Sequence, residues 1–250
     1  MEPWGHFTVS EYEAVHRVVG DLAVHLRIER GALVVGIDAP VGPLTGFGPT
    51  REERWAAPGP ATSVEVAPAL PDRPVVVGVR NPFRLAPGAE TRLQVHLPIW
   101  AQVHLEDEER TLLAELPSAV LSQTWWGGKT RGELAYWLPA EVEHAEADIA
   151  TAAPTRAVCV LRIANRSTRV LEVDRLAIRA PQHSLFRTRR GFVTDEARIV
   201  YLGEADAAVD VSGAPPAFEP DAPRVQGPRL LLPRGLRALT FAHLRSLELY

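Results

Sequence analysis

The stretch Leu22-Ala23-Val24-His25-Leu26-Arg27-Ile28-Glu29-Arg30 decides the fold class. Leu22, Val24, Leu26 and Ile28 fall on one side of an extended chain, and His25, Arg27 and Glu29 fall on the other. Successive side chains of a strand point to opposite faces, so this two-residue period predicts a half-buried strand. Gly31 interrupts the pattern and 32–37 is a second short apolar run, so 22–37 predicts a hairpin.

The same signal recurs outward from this point. Strands are predicted at 63–67, 74–79, 91–97 and 99–105, with Leu93, Val95 and Leu97 alternating against Gln94 and His96. Pro82, Pro87 and Gly88 supply turns between them. Segments 117–123 and 132–138 flank a glycine-rich connection and read as a second hairpin. Further strands are predicted at 156–164, 170–178, 185–190 and 197–202, with a phase slip at Asp174-Arg175 that predicts a bulge. Segment 38–60, rich in Pro and Gly around Arg51-Glu52-Glu53-Arg54, reads as a long loop. Segment 141–153 turns to alanine and acid and Pro154 stops it, which places a module boundary there. Beyond Gly213 the prolines 215, 216, 220, 223, 228 and 233 predict a wrapping tail, and 236–247 predicts a terminal helix.

The expected architecture is therefore all-β: two antiparallel β-sandwich-like modules, 1–146 and 147–213, followed by a Pro-rich tail, 214–250. Short connections and the lack of βαβ spacing favour antiparallel pairing.

Composition narrows the class. The 250 residues are 46% hydrophobic and 23% charged, the ordinary globular mixture, which excludes a disordered chain or a coiled coil. Lys and Arg number 27 against 31 Asp and Glu, a net charge of −4, so no nucleic-acid partner is predicted. Lys129 is the lone lysine; the arginine excess reflects a codon bias of GC-rich genomes rather than recognition. With one cysteine, Cys159, neither an intrachain disulfide nor a multi-cysteine zinc site can form. A reducing compartment fits that usage. No signal-like start and no apolar run of the roughly 18 residues a span requires are found, so a cytoplasmic protein without membrane insertion is expected.

The middle of the chain carries a resemblance. Leu70-Pro71-Asp72-Arg73-Pro74-Val75-Val76-Val77, the turn at Pro87-Gly88, the strand ending in Leu97-Pro98-Ile99, and Thr124-Trp125-Trp126-Gly127-Gly128 running through Gly132 to Tyr136-Trp137 resemble the prokaryotic domain-of-unknown-function family 432. Leu161-Arg162-Ile163-Ala164-Asn165-Arg166-Ser167 followed by 173–180 fits the same pattern. Where the family has a Cys-Arg-Tyr stretch, this chain reads Leu134-Ala135-Tyr136. The resemblance implies a β-rich fold and brings no chemistry with it.

Candidate sites follow from local composition. Trp125 and Trp126 beside Lys129 and Arg131 form a turn where indoles can stack on a sugar or base while the cations hold an anion. The structural alternative is one Trp in the core and one covering the hairpin. Arg187, Arg189 and Arg190 form a basic cluster for an anion or an acidic partner, unless Asp195 and Glu196 pair with it. Glu141, Glu143, His144, Glu146 and Asp148 read as a solvated acidic linker rather than a metal site. His96 and His104, set to face one another across a hairpin at 98–100, and His25 read as surface histidines. Cys159, within an apolar run, reads as a small buried hydrophobe. No catalytic residue, metal or cofactor is expected, and no nucleophile elbow is present. The function expected is a noncatalytic protein-interaction module. Its alternative is a carbohydrate- or anion-binding protein or enzyme built on the tryptophan turn.

Overall fold

The computed structural model describes residues 3–20, 22–38, 51–56, 59–128, 132–140, 143–144, 153–203, 206–231 and 236–241. In chain order the strands are β1 (Gly5–Ser10), β2 (Val15–Val19), β3 (Leu22–Glu29), β4 (Ala32–Asp38), β5 (Arg51–Ala56), β6 (Ala61–Ala69), β7 (Val75–Leu85), β8 (Glu90–Pro98), β9 (Trp100–Leu105), β10 (Leu112–Pro117) and β11 (Ser122–Gly127). They continue with β12 (Gly132–Ala140), β13 (Glu143–His144), β14 (Arg156–Asn165), β15 (Leu171–Ile178), β16 (Leu185–Thr188), β17 (Gly191–Thr194), β18 (Ala197–Tyr201), β19 (Asp206–Val211), β20 (Arg224–Gln226) and β21 (Leu236–Leu239). Among the described residues one 3-10 turn, at Ala180–Gln182, accompanies them. The chain is all-β, as its alternation predicts. No helix among the described residues is long and apolar enough to cross a membrane.

Contacts divide the chain into two units. One comprises Met1–Ala69 with Pro98–Val120, the other Leu70–Leu97 with Leu121–Tyr250. The boundary expected between Glu146 and Ala147 lies outside the described residues.

The first unit holds two antiparallel four-stranded sheets, ordered β1-β6-β9-β10 and β2-β3-β4-β5. In β3 the residues Leu22, Val24, Leu26 and Ile28 are all buried and their neighbours are half-buried. The β3–β4 hairpin closes on Arg30 and Gly31, both with positive φ (53° and 75°), between the paired residues Glu29 and Ala32. Two left-handed residues in a two-residue loop match the right-handed twist of the strands. The expected loop at 38–60 is corrected at its end: Arg51–Ala56 is β5, paired along β4 from Ile37 to Ala32. A charged strand is legible only through its partner, because its outward residues gain ion pairs (Arg27 to Glu52, 2.8 Å) rather than burial.

The second unit holds a sheet ordered β11-β12-β7-β15 and a larger sheet running β20-β16-β17-β14-β18-β19-β21, with β8 joining β14 and β13. Val75 and Val77 of β7, Leu176 and Ile178 of β15, Leu93, Val95 and Leu97 of β8, and Leu161 and Ile163 of β14 belong to one buried cluster. Two sheets thus face each other across a common apolar layer, the arrangement of a sandwich. The slip at Asp174-Arg175 is a bulge against β7, as predicted.

Pairing in this unit is mixed rather than purely antiparallel: β12 runs parallel to β7, and β17 and β18 run parallel to β14. The expectation of antiparallel pairing rested on short connections, and these parallel partners are joined through intervening strands that the spacing does not reveal. The terminal helix expected at 236–247 is also corrected. Leu236–Leu239 is β21, antiparallel to β19, and the rest of that segment beyond Phe241 lies outside the described residues. An apolar run of this length satisfies either period, and an available sheet edge decides between them.

Segment 224–230 is fastened by polar contacts. Gln226 Oε1 accepts from the Leu70 amide (2.7 Å), and Arg229 donates through Nε and Nη2 to the Leu70 carbonyl (3.0 and 2.6 Å). The amides of Arg229 and Leu230 both reach the Pro181 carbonyl.

Candidate functional site

The tryptophan turn is the β11–β12 hairpin. Trp125 stands opposite Leu134 and Trp126 opposite Glu133, so the two indoles occupy opposite faces of β11. Trp126 is buried with Val76, Ala135 and Ala177, and Trp137 lies at the edge of that cluster. Trp125 is 53% exposed, and its Nε1 donates to the Gly128 carbonyl at 3.0 Å. One indole fills a core and the other covers the hairpin, so they do not form a joint stacking platform. Lys129 and Arg131 lie outside the described residues.

The basic cluster sits on the β16–β17 hairpin. Arg187 lies over the Phe192 ring, 5.0 Å from its centroid. Arg189 and Arg190 are exposed at the turn. The expected pairing with Asp195 and Glu196 does not form. Glu196 binds Arg162 (3.0 Å) and Arg92 (3.4 Å), while Asp195 is turned inward.

Of the acidic linker, Glu141, Glu146 and Asp148 lie outside the described residues, and Glu143–His144 pairs with β8 through its backbone. His96 and His104 do not face one another across a hairpin: β8 pairs with β13 and β14, and β9 with β6 and β10. His104 is buried and its Nδ1 donates to the Arg110 carbonyl at 3.2 Å, and burial holds its pKa below the usual histidine value. His25 stacks on His16 (centroids 4.4 Å apart) and meets Asp38 at 3.0 Å. Among the described residues no group of three or more His, Cys, Asp or Glu is placed to hold a metal ion.

A buried polar centre is what sequence reasoning missed. β17 and β18 follow one another along β14, where Val158 meets Val193 and Leu161 meets Ala197. Cys159 and Val160 therefore face three residues, Thr194, Asp195 and Glu196, which makes a bulge. The extra residue turns Asp195 into the interior, where its Oδ1 accepts from His183 Nδ1 at 2.6 Å and its carboxylate receives the Ser184 amide (3.2 and 3.3 Å). His183 and Asp195 are both fully buried. Cys159 beside them is a free thiol whose pKa burial pushes up to about 12. The only signal in the sequence is polar His183-Ser184 and Asp195 set between apolar runs.

Two open depressions lie on this side of the second unit. One, about 550 Å³, is lined by Ser184, Asp195, Asp210 and Ser212; the other, about 330 Å³, by Pro74, Glu133, Leu134 and Arg179. Gln182 and Leu230 line both. Arg179 Nη1 donates to Glu133 at 2.5 Å, whereas Arg179 Nε and Gln182 Oε1 are buried without a hydrogen-bond partner among the described residues.

Fold and site together define an all-β, sandwich-containing protein whose second unit carries two open surface depressions among the described residues. The family model described as protein of unknown function (DUF432) matches residues 3–244, and the chain belongs to that family. The match extends well beyond the 70–180 stretch that carries the resemblance. No curated protein and no solved structure matches the chain.

Proposed function

We propose that the chain is a noncatalytic protein-interaction module, resident in the cytoplasm, that docks a partner protein at the β11–β12 end of its second unit. The observation that carries this reading is the cross-strand pair Trp125–Leu134. Both are large and apolar, they stand directly opposite one another, and they are 53% and 47% exposed. Tryptophan is among the residue types enriched at the positions that dominate interface energies. β11 also ends its sheet's order, and an edge strand offers backbone groups to a partner. The buried free thiol of Cys159 supports a reducing compartment.

The test is capture from native lysate by the full chain, quantified by mass spectrometry, with Trp125→Ser compared to wild type. The reading expects a defined protein captured at least fivefold less by Trp125→Ser, with the native fold retained by circular dichroism. An identical capture profile for the two proteins overturns it.

A further inference from the structure

We infer that the partner at β11 is a second copy of this chain, joined by antiparallel pairing of the two β11 strands about a two-fold axis at Trp125. This rests on the interaction-module reading and names its partner; in a native lysate the protein captured is then the untagged chain itself. An edge strand turns alternate N–H and C=O groups away from its neighbour, and natural sheets guard such edges with charge, proline or a bulge. Among the described strands that end a sheet's order, β1, β2, β5, β10, β15, β20 and β21 each carry at least one His, Arg, Asp or Glu. β11, Ser122-Gln123-Thr124-Trp125-Trp126-Gly127, carries none, and it has neither a proline nor a break in its register with β12. Among the described residues no strand pairs with its other side.

Charge selects the occupant. When a strand pairs with its own copy about a two-fold axis, each residue faces the one equally far beyond the axis, and like charges set directly opposite one another are destabilising. β5 centred on its own copy sets Arg51 opposite Arg54 and Glu52 opposite Glu53. β11 brings no charges together in any register. Apolar area then selects the register. With the axis at Trp125, that residue faces its own copy, Thr124 faces Trp126 and Gln123 faces Gly127. Trp125 already stands opposite Leu134 within its sheet, so Leu134, Trp125, Trp125 and Leu134 of the two copies form one row on one face. All four are about half-exposed in the single chain, and pairing removes apolar surface of the row from water. An axis one residue earlier, at Thr124, sets Trp125 against polar Gln123 instead.

The contact closes on itself. At the other end of the same sheet β15 carries Glu172, Asp174 and Arg175 and is bulged against β7, and its Ala177 amide already donates to the Thr240 carbonyl. Growth therefore stops at two copies, because the same strand is used on both sides of the axis.

The experiment weighs the purified full chain by sedimentation equilibrium over a dilution series and follows amide exchange of 122–127 by mass spectrometry at both ends of that series. A dimer is expected, with exchange in 122–127 at least tenfold faster once dilution has made the chain monomeric. Trp125→Lys and Trp125→Glu each set like charges across the axis, so the dimer Kd is expected to rise at least tenfold for either variant alone. Their equimolar mixture sets opposite charges across it, and Kd of the mixed pair is expected at least fivefold below that of either variant. Circular dichroism checks that both variants fold, and the exchange measurement needs no variant. A monomer at every concentration, exchange in 122–127 unchanged by dilution, or folded variants that pair no better mixed than alone overturns the inference. A monomeric pure chain that still captures a different protein through Trp125 leaves the docking reading standing and removes the second copy.

Discussion

Trp137 abuts Gly78 with the Cζ2–Cη2 edge of its ring: a methyl group added at Gly78 would meet Cζ2 at 2.5 Å and Cη2 at 2.6 Å. The two residues are diagonal neighbours, since Trp137 pairs with Val76 and Pro139 with Gly78. Trp125 stands in the same diagonal relation to Gly132, where a methyl would run into the indole. An aromatic ring packed against a strand glycine restores the packing that the missing side chain forfeits.

Gly78→Ala is therefore expected to destabilise the fold by roughly 1–3 kcal/mol, because Trp137 is packed at the edge of a buried cluster and also lies under Arg175, 5.4 Å from the ring centroid. Gly132→Ala is expected to cost less, because the half-exposed Trp125 can swing into solvent. Urea denaturation midpoints of the two variants measure the difference. Equal losses would sink the packing account.

Removal of His183 leaves a buried oxygen of Asp195 without its hydrogen-bond partner. Losing a hydrogen bond to a charged group costs roughly 1.5–3 kcal/mol, and the Ser184 amide that still binds the carboxylate places His183→Ala near the lower end. Equilibrium unfolding in guanidinium measures this loss, and a loss under about 1 kcal/mol refutes the role given to the bulge.

Cys159 predicts both reactivity and a pH dependence. In the folded protein the thiol stays protonated up to about 12, while in the unfolded chain it ionises near its ordinary value of 9.0. Its folded-state pKa is raised, so its contribution is whole below pH 9 and is lost as pH rises from 9 towards 12. Native protein at pH 8 is expected to resist a thiol reagent that labels the urea-unfolded chain at once. Cys159→Ala is expected to lose less stability than wild type between pH 9 and 11. Rapid labelling of the native protein contradicts this.

His104 gives the opposite sign. Burial lowers its pKa from the ordinary 6.5, so the unfolded chain takes up a proton more readily than the folded one. Its stabilising contribution is present above pH 6.5 and falls away as pH drops through the lowered value. A ring-proton NMR titration is expected to show a His104 midpoint below 6.5, and His104→Gln to flatten the stability profile between pH 7 and 5. A midpoint at or above 6.5 overturns the assignment.

Much of the fold is legible in single strands and little in their partners. The alternation of 22–28 finds β3, and the slip at Asp174-Arg175 finds its bulge, because each is a local consequence of burial on one face. The parallel neighbours of β14, and β21 at the edge of β19, depend on contacts far apart in the chain, which leave no local mark. The tryptophan turn is visible as composition, yet which indole is buried follows only from the register that sets Trp126 opposite Glu133. Asp195 is harder still. Its inward turn comes from one surplus residue between β17 and β18, a count that requires knowing that both lie along β14.

The interleaving of the two units bears on how the protein is made. The chain leaves the first unit at Ala69, builds β7 and most of β8, and returns at Pro98 for β9 and β10 before leaving again after Val120. On a ribosome the first unit therefore waits, with β6 lacking its β9 neighbour, until the nascent chain has passed Val120. No single cut yields both units whole, and a gene fragment ending at Ala69 makes a product with a bare sheet edge, prone to aggregate.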